Sequence, residues 1–174
     1  MAPQENLTYT MPLEVYLQSA VVRGILVTNQ DRLSNYLTLC GGDEVFSLRD
    51  ATLENLERKI VVAGSDQYLI YMQEVFLIAD LSSQLRNDRP GLESLYVKKD
   101  TSRALLSVGA YWLQGDLHIV PGGALQELLM AKTRFIPVTN ATLLNRPDLG
   151  PRPYLVNRTK IGFMTVSGDL LVEL

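Results

Sequence analysis

From Leu13 the chain alternates between apolar and polar positions. Leu13, Val15, Leu17, Ser19 and Val21 fall on one side of an extended segment, with Glu14, Tyr16, Gln18, Ala20 and Val22 on the other. A period of two predicts a strand with one face on a core. The phase returns in the second half at Ala104, Leu106, Val108, Ala110 and Trp112. Each run reaches a polar residue followed by glycine, Arg23-Gly24 and Gln114-Gly115, which predicts a bulge or sharp bend. Strands Ile25–Thr28 and Asp116–Val120 are expected to follow. The spacing then changes: Leu33 with Leu37, and Leu125 with Leu128 and Leu129, stand three to four apart. That predicts one or two helical turns within 31–37 and 122–129, the first capped by Asp31. Beyond them come strands Val45–Leu53 and Phe135–Leu143, each carrying Ala-Thr-Leu after Asp50 or Asn140. The pattern closes on Tyr68–Ala79 (YLIYMQEVFLIA) and Tyr154–Thr165 (YLVNRTKIGFMT). Both read as two short strands around a tight polar turn, a hairpin with half-buried arms.

The pattern is therefore written twice. Gly24 and Gly115 are 91 residues apart, Ala51 and Ala141 90, and Tyr68 and Tyr154 86, so the drift falls where loops are expected. The largest difference lies between Leu53 and Tyr68. Glu54–Gly64 has room for a helical turn or longer strands, whereas Asn145–Pro153 carries three prolines and reads as a stiff, exposed loop without helix. Residues 1–11 are expected to be a flexible lead-in, 12–82 the first repeat, 83–100 a connector and 101–174 the second repeat with an apolar tail, Asp169–Leu174. The connector has a turn signal at Arg89-Pro90-Gly91 and a short strand signal at Ser94–Val97. The fold class expected is mainly β: two tandem small SH3-like or Sm-like barrels, each of about five strands with one short helix. Two half-barrels merged into one sandwich are the alternative.

Composition narrows the function classes. With 47% apolar and 20% charged residues in 174, the chain has an ordinary globular make-up. Residues 1–89 hold 7 basic and 12 acidic side chains, net −5, and residues 90–174 hold 9 basic and 7 acidic, net +2. Neither half has the strong basic surplus of a general nucleic-acid binder. The imbalance suits head-to-tail association of unlike halves. One cysteine, Cys40, excludes an internal disulfide and a cysteine metal cluster. No apolar run reaches the roughly 18 residues of a membrane span. The start, MAPQENLTYTM, lacks the order of a signal peptide, so the expected location is cytoplasmic.

No catalytic signature emerges. His118, the single histidine, lies between Leu117 and Ile119 in an alternating strand and reads as a half-buried or surface residue. Without a second histidine there is no His-rich metal site, and Cys40 falls in the other repeat from His118. Gly41-Gly42 and Gly122-Gly123 are turn glycines without the Lys-Ser or Lys-Thr of a phosphate loop. No cofactor or metal is expected. The densest cluster is basic and aromatic: Lys132, Arg134, Arg152, Tyr154, Arg158 and Lys160, with Phe135 and Arg146 nearby. Alternation places Tyr154, Val156 and Arg158 on one strand face, a candidate surface for an acidic peptide or phosphate-bearing ligand. A solvated rim accounts for the same residues.

The motifs resemble those of Sm-like proteins. Gly24, Asp31, Asn35, Leu37, Asp50-Ala51 and Tyr68–Ala79 follow the family's glycine bend, Asp-x-x-x-Asn element, Asp-Ala strand end and closing hairpin. The second repeat offers Gly115, Leu125, Asn140-Ala141 and Val156-Asn157-Arg158. The chain is also similar to uncharacterised bacterial two-repeat proteins with a Phe-x-Pro-hydrophobic-Thr strand and a Val-Asn-Arg hairpin. The Sm resemblance implies RNA contacts at Asn35 and Arg158. However, the second repeat lacks the asparagine and the first lacks the arginine, so each keeps half of such a site. The reading that follows is a non-enzymatic interaction or assembly module. It would form a homo-oligomer, or bind another protein, through strand edges, with Val75–Ala79 and the tail as the adhesive segments. An Sm-like RNA-binding protein is the first alternative. A small-ligand binder using Pro147–Pro153 as a pocket wall is the second.

Overall fold

The first alternating run is two strands rather than one. In the structure, a computed structural model describing residues 7–39, 45–58, 60–82, 100–130 and 132–166, β1 spans Tyr9–Tyr16 and β2 spans Ala20–Thr28. They pair antiparallel with Tyr16 opposite Val21, and the Leu17 amide donates to the Ala20 carbonyl across the turn. The second run splits likewise into β6, Asp100–Val108, and β7, Tyr111–Ile119. There Gly109, at φ 61°, opens the two-residue turn, the position where a tight hairpin favours glycine. β1 also begins inside the expected lead-in, and Met11 is buried.

The chain divides into two compact units, Met1–Ser82 and Ser83–Leu174. Both are antiparallel and mainly β. In the first, a short helix α1 (Leu33–Leu39) leads to β3 (Val45–Asn55), β4 (Ile60–Tyr71) and β5 (Leu77–Asp80). The strand order is β5-β1-β2-β3-β4. In the second, α2 (Leu125–Met130) leads to β8 (Phe135–Leu143), β9 (Arg152–Asn157) and β10 (Ile161–Val166), in the order β10-β6-β7-β8-β9. The core of the first unit gathers Met11, Leu13, Val15, Leu26, Leu48 and Ile70. That of the second gathers Leu106, Leu113, Leu117, Val138, Tyr154 and Val156.

The hairpin expectation for Tyr68–Ala79 and Tyr154–Thr165 is overturned. β4 pairs with β3 and β5 with β1; β9 pairs with β8 and β10 with β6. A tight hairpin needs residues that accept positive φ, such as Asn-Gly, and Met72-Gln-Glu74 and Arg158-Thr-Lys160 contain none. Each triplet instead forms one 3-10 turn that sends the chain to the far side of its unit. The ends of each order, β4 with β5 and β9 with β10, are not paired with one another.

The two glycine bends occur where expected, with a steric reason. Register shifts between Arg23 and Ile25, and again between Gln114 and Asp116, as Gly24 opposes Asp50-Ala51 and Gly115 opposes Asn140-Ala141. Asp50 and Asn140 carry the positive φ of these bulges, 48° and 47°. Aspartate and asparagine tolerate that region better than other side chains. A Cβ on Gly24 would lie 2.7 Å from the Ala51 Cβ, and one on Gly115 2.6 Å from the Ala141 Cβ, so the strands cross too closely for any side chain.

The helices are shorter than an isolated helix needs and are held by tertiary contacts. Leu33 and Leu37 anchor α1, while α2 buries no side chain. The interval after Leu53 becomes longer strands, β3 and β4 reaching Asn55 and Ile60. The Pro-rich interval holds a 3-10 turn at Pro147–Leu149 despite the expectation of none, because proline at the first helical position needs no donor. Residues 1–6 of the lead-in, Cys40 with Gly41-Gly42, the connector 83–99 with its Ser94–Val97 strand, and the tail 167–174 lie outside the described residues. No described helix is long and apolar enough to cross a membrane.

Candidate functional site

Alternation along β9 sends Tyr154 and Val156 into the core, opposite Val138 and Ile136. It ends at Asn157, a buried residue whose Oδ1 accepts from the Thr159 amide at 3.1 Å and the Thr159 hydroxyl at 2.8 Å. Those bonds start the 3-10 turn, so Arg158 leaves the strand and does not share a face with Tyr154. Its Nε donates to the Thr133 carbonyl at 3.3 Å, Nη1 donates to the Leu129 carbonyl, and its amide donates to the Arg134 carbonyl at 2.8 Å. The guanidinium thus sits at the C-terminal end of α2, where free carbonyls favour a cation. Arg152 Nη2 donates to the Leu149 carbonyl at 2.8 Å and fastens the Pro-rich segment. Lys132 and Arg134 are exposed and Lys160 is half-buried. In the first unit, Asn35 is exposed on α1, its Nδ2 donating to Asp31 Oδ1 at 3.2 Å. A shallow open depression of about 300 Å³ lies beside Arg158, lined also by Leu129, Ile161, Gly162, Phe163 and Met164.

Each unit also carries one polar network across its strands. In the first, buried Glu14 accepts from the Tyr16 hydroxyl at 2.7 Å and from Arg23 Nε at 2.8 Å, while Arg23 Nη1 reaches Glu54 at 2.7 Å. Burial pulls the Arg23 guanidinium down, but its bonds to Glu14 and then Glu54 outweigh that and hold it above its ordinary value. In the second, Asn140 Nδ2 donates to Asp116 Oδ2 at 2.9 Å, and Arg103 Nη1 donates to Asp116 Oδ1 at 3.0 Å and to the Asn140 carbonyl at 3.2 Å. The Asn140 bond, opposed by burial and reinforced by Arg103, holds the Asp116 carboxyl below the usual range. His118 Nε2 and Thr139 Oγ1 are 2.7 Å apart. These networks tie adjacent strands together, and the residues that form them are occupied with one another.

What stands open is the apolar edge of each unit. Val75–Ala79, expected to be adhesive, is buried in the core. Apart from Leu7 and Leu39, the exposed large apolar side chains of the first unit lie instead on β4, at the end of its strand order: Ile60, Val61, Val62, Leu69 and Tyr71. Leu69 and Tyr71 alternate with buried Ile70 and so share the outer face. Ile60 and Val62 occupy one face and Val61 the other, all exposed, so the far end of the β3–β4 hairpin stands clear of the core on both sides. In the second unit β10 ends the order and exposes Phe163 and Val166. Phe163 lies beside exposed Trp112, ring centroids 6.4 Å apart and tilted by 50°.

Sequence reasoning missed these residues. It placed Trp112 with Leu106 and Val108 on the inner face, but the turn at Gly109-Ala110 reverses the phase and turns the indole outward. The Ile-Val-Val triplet at 60–62 was the available signal for β4. Compared with known proteins, the chain matches no family model, and no curated protein or solved structure shows significant similarity to it.

Proposed function

We propose that this chain is a non-enzymatic assembly module, a diverged duplication of one small SH3-like or Sm-like β-unit, which oligomerises through strand edges. The observation that carries this reading is the apolar row on β4, the terminal strand of the first unit. An unguarded edge offers backbone donors and acceptors to another strand, and natural edges are commonly protected by charge, proline or a bulge. β4 has a bulge opposite Ala51–Leu53, but its outer apolar residues are uncovered. Duplication is supported by the equal strand orders, the paired glycine bulges and a 3-10 turn before the last strand of each unit. The RNA alternative finds less support, since Arg158 directs two donors at backbone carbonyls. The test is multi-angle light scattering of the purified chain across a concentration series. Assemblies larger than the 19.4 kDa single chain are expected; a single-chain mass at every concentration would remove the proposal.

A further inference from the structure

The strand registers make the two units comparable position by position. Tyr16 pairs with Val21 and Leu77 in the first unit, and Ser107 pairs with Trp112 and Phe163 in the second. Val21 therefore answers Trp112, and Leu77 answers Phe163. In the first unit these positions are sealed: Val21 is 1% exposed and Leu77 0%. In the second they are open, Trp112 at 45% and Phe163 at 48%. The same face is thus covered in one repeat and bare in the other, where it carries the larger aromatic residues. β4 shows a matching excess, with Leu69 67% and Tyr71 54% exposed on its outer face.

We propose that copies of this chain join head to tail, the β4 edge of one adding antiparallel to the β10 edge of the next, with Leu69 and Tyr71 laid against Trp112 and Phe163. This rests on the assembly reading above and specifies which surfaces meet. Two observations favour a second copy as the occupant. Among the described residues each edge lacks what the other supplies, a strand partner and an apolar cover, and one polypeptide carries both. The charges are complementary, since residues 1–89 hold 7 basic against 12 acidic side chains and residues 90–174 hold 9 against 7. Two unlike surfaces make a heterologous contact, which repeats until it closes a ring or grows a filament.

The test uses two full-length variants, Leu69→Asp and Phe163→Asp, both at exposed positions, with far-ultraviolet circular dichroism to confirm folding. Each leaves one joining surface intact. Alone, each variant is expected at the mass of one chain. Mixed in equal amounts, they are expected to form a complex of two chains and stop there, because only one good junction is left. If Phe163→Asp alone assembles as the unchanged chain does, the contact joins like surfaces, and head-to-tail joining falls while assembly stands. Head-to-tail joining falls equally if the mixture stays at one chain while the unchanged protein assembles. If the unchanged protein is itself a single chain, both proposals fall. Chains with Cys40→Ser and one added cysteine, Gln67→Cys or Thr165→Cys, give an independent reading. A bismaleimide is expected to join Gln67→Cys to Thr165→Cys chains, and linkage only between like chains overturns the inference.

Discussion

Two glycines and one tyrosine show how much single positions carry here. A methyl group added at Gly24 meets the Ala51 Cβ at 2.7 Å and the Arg49 carbonyl at 3.0 Å, neither of which yields without moving a strand. Gly24→Ala is expected to cost about 1–3 kcal/mol in urea unfolding, as overpacking of a tight interior does. Gly115→Ala should cost no less, since its Cβ meets Val138 Cγ1 as well as Ala141 at 2.6 Å. Gly162, where a Cβ has nothing within 4 Å, is the control and is expected to change little on substitution by alanine. Tyr111 is buried at the start of β7, and that burial pushes its hydroxyl from 10.0 to about 12. The raised value means that the folded state holds the proton while the unfolded chain releases it. Its contribution is therefore complete below the unfolded value and is lost as pH rises from about 10 to about 12. Absorbance at the tyrosinate band is expected to show a late-titrating group that disappears in Tyr111→Phe, and that variant should lose less stability over the same alkaline interval.

At the scale of elements, the units are held by short connections whose ends are satisfied from elsewhere. α2 has only six residues and buries none of them, so its own propensity does not account for it. Arg158 supplies what is missing by reaching from the β9–β10 turn to the carbonyls of Leu129 and Thr133. Arg158→Ala is expected to destabilise the protein by about 1–2 kcal/mol, the lower part of the range for charged hydrogen bonds, because solvent screens a half-exposed cation. Arg158→Lys should recover only part of that, since one ammonium does not reproduce a fork aimed at two carbonyls. Chemical denaturation of the three proteins decides the matter, with equal stability of alanine variant and parent counting against the strap. The β3–β4 arm is the opposite case, an element longer than its unit needs, with apolar side chains on both faces.

At the scale of the whole molecule, the two units share a strand order and differ in their polar ties and exposed surfaces. Glu14, Arg23 and Glu54 bind the first, while Arg103, Asp116 and Asn140 bind the second. One unit carries an exposed β4 row and the other an exposed aromatic pair, and both mass experiments above address that difference. Much of the architecture was legible from the chain alone. The strand content, the glycine bulges and the two helical turns follow from local rules, because period and steric tolerance act within a few residues. Which strands pair, and which side of each meets water, was decided only in three dimensions. Turns at 17–19 and 109–110 reverse the phase of the strands after them, and the 3-10 turns at 72–74 and 158–160 send expected hairpin partners to opposite sides of their units. A strand's two faces are equivalent until its neighbours are chosen. For that reason an apolar segment such as Val75–Ala79 reads as an adhesive edge in sequence and proves to be core, while Trp112 reads as core and stands exposed.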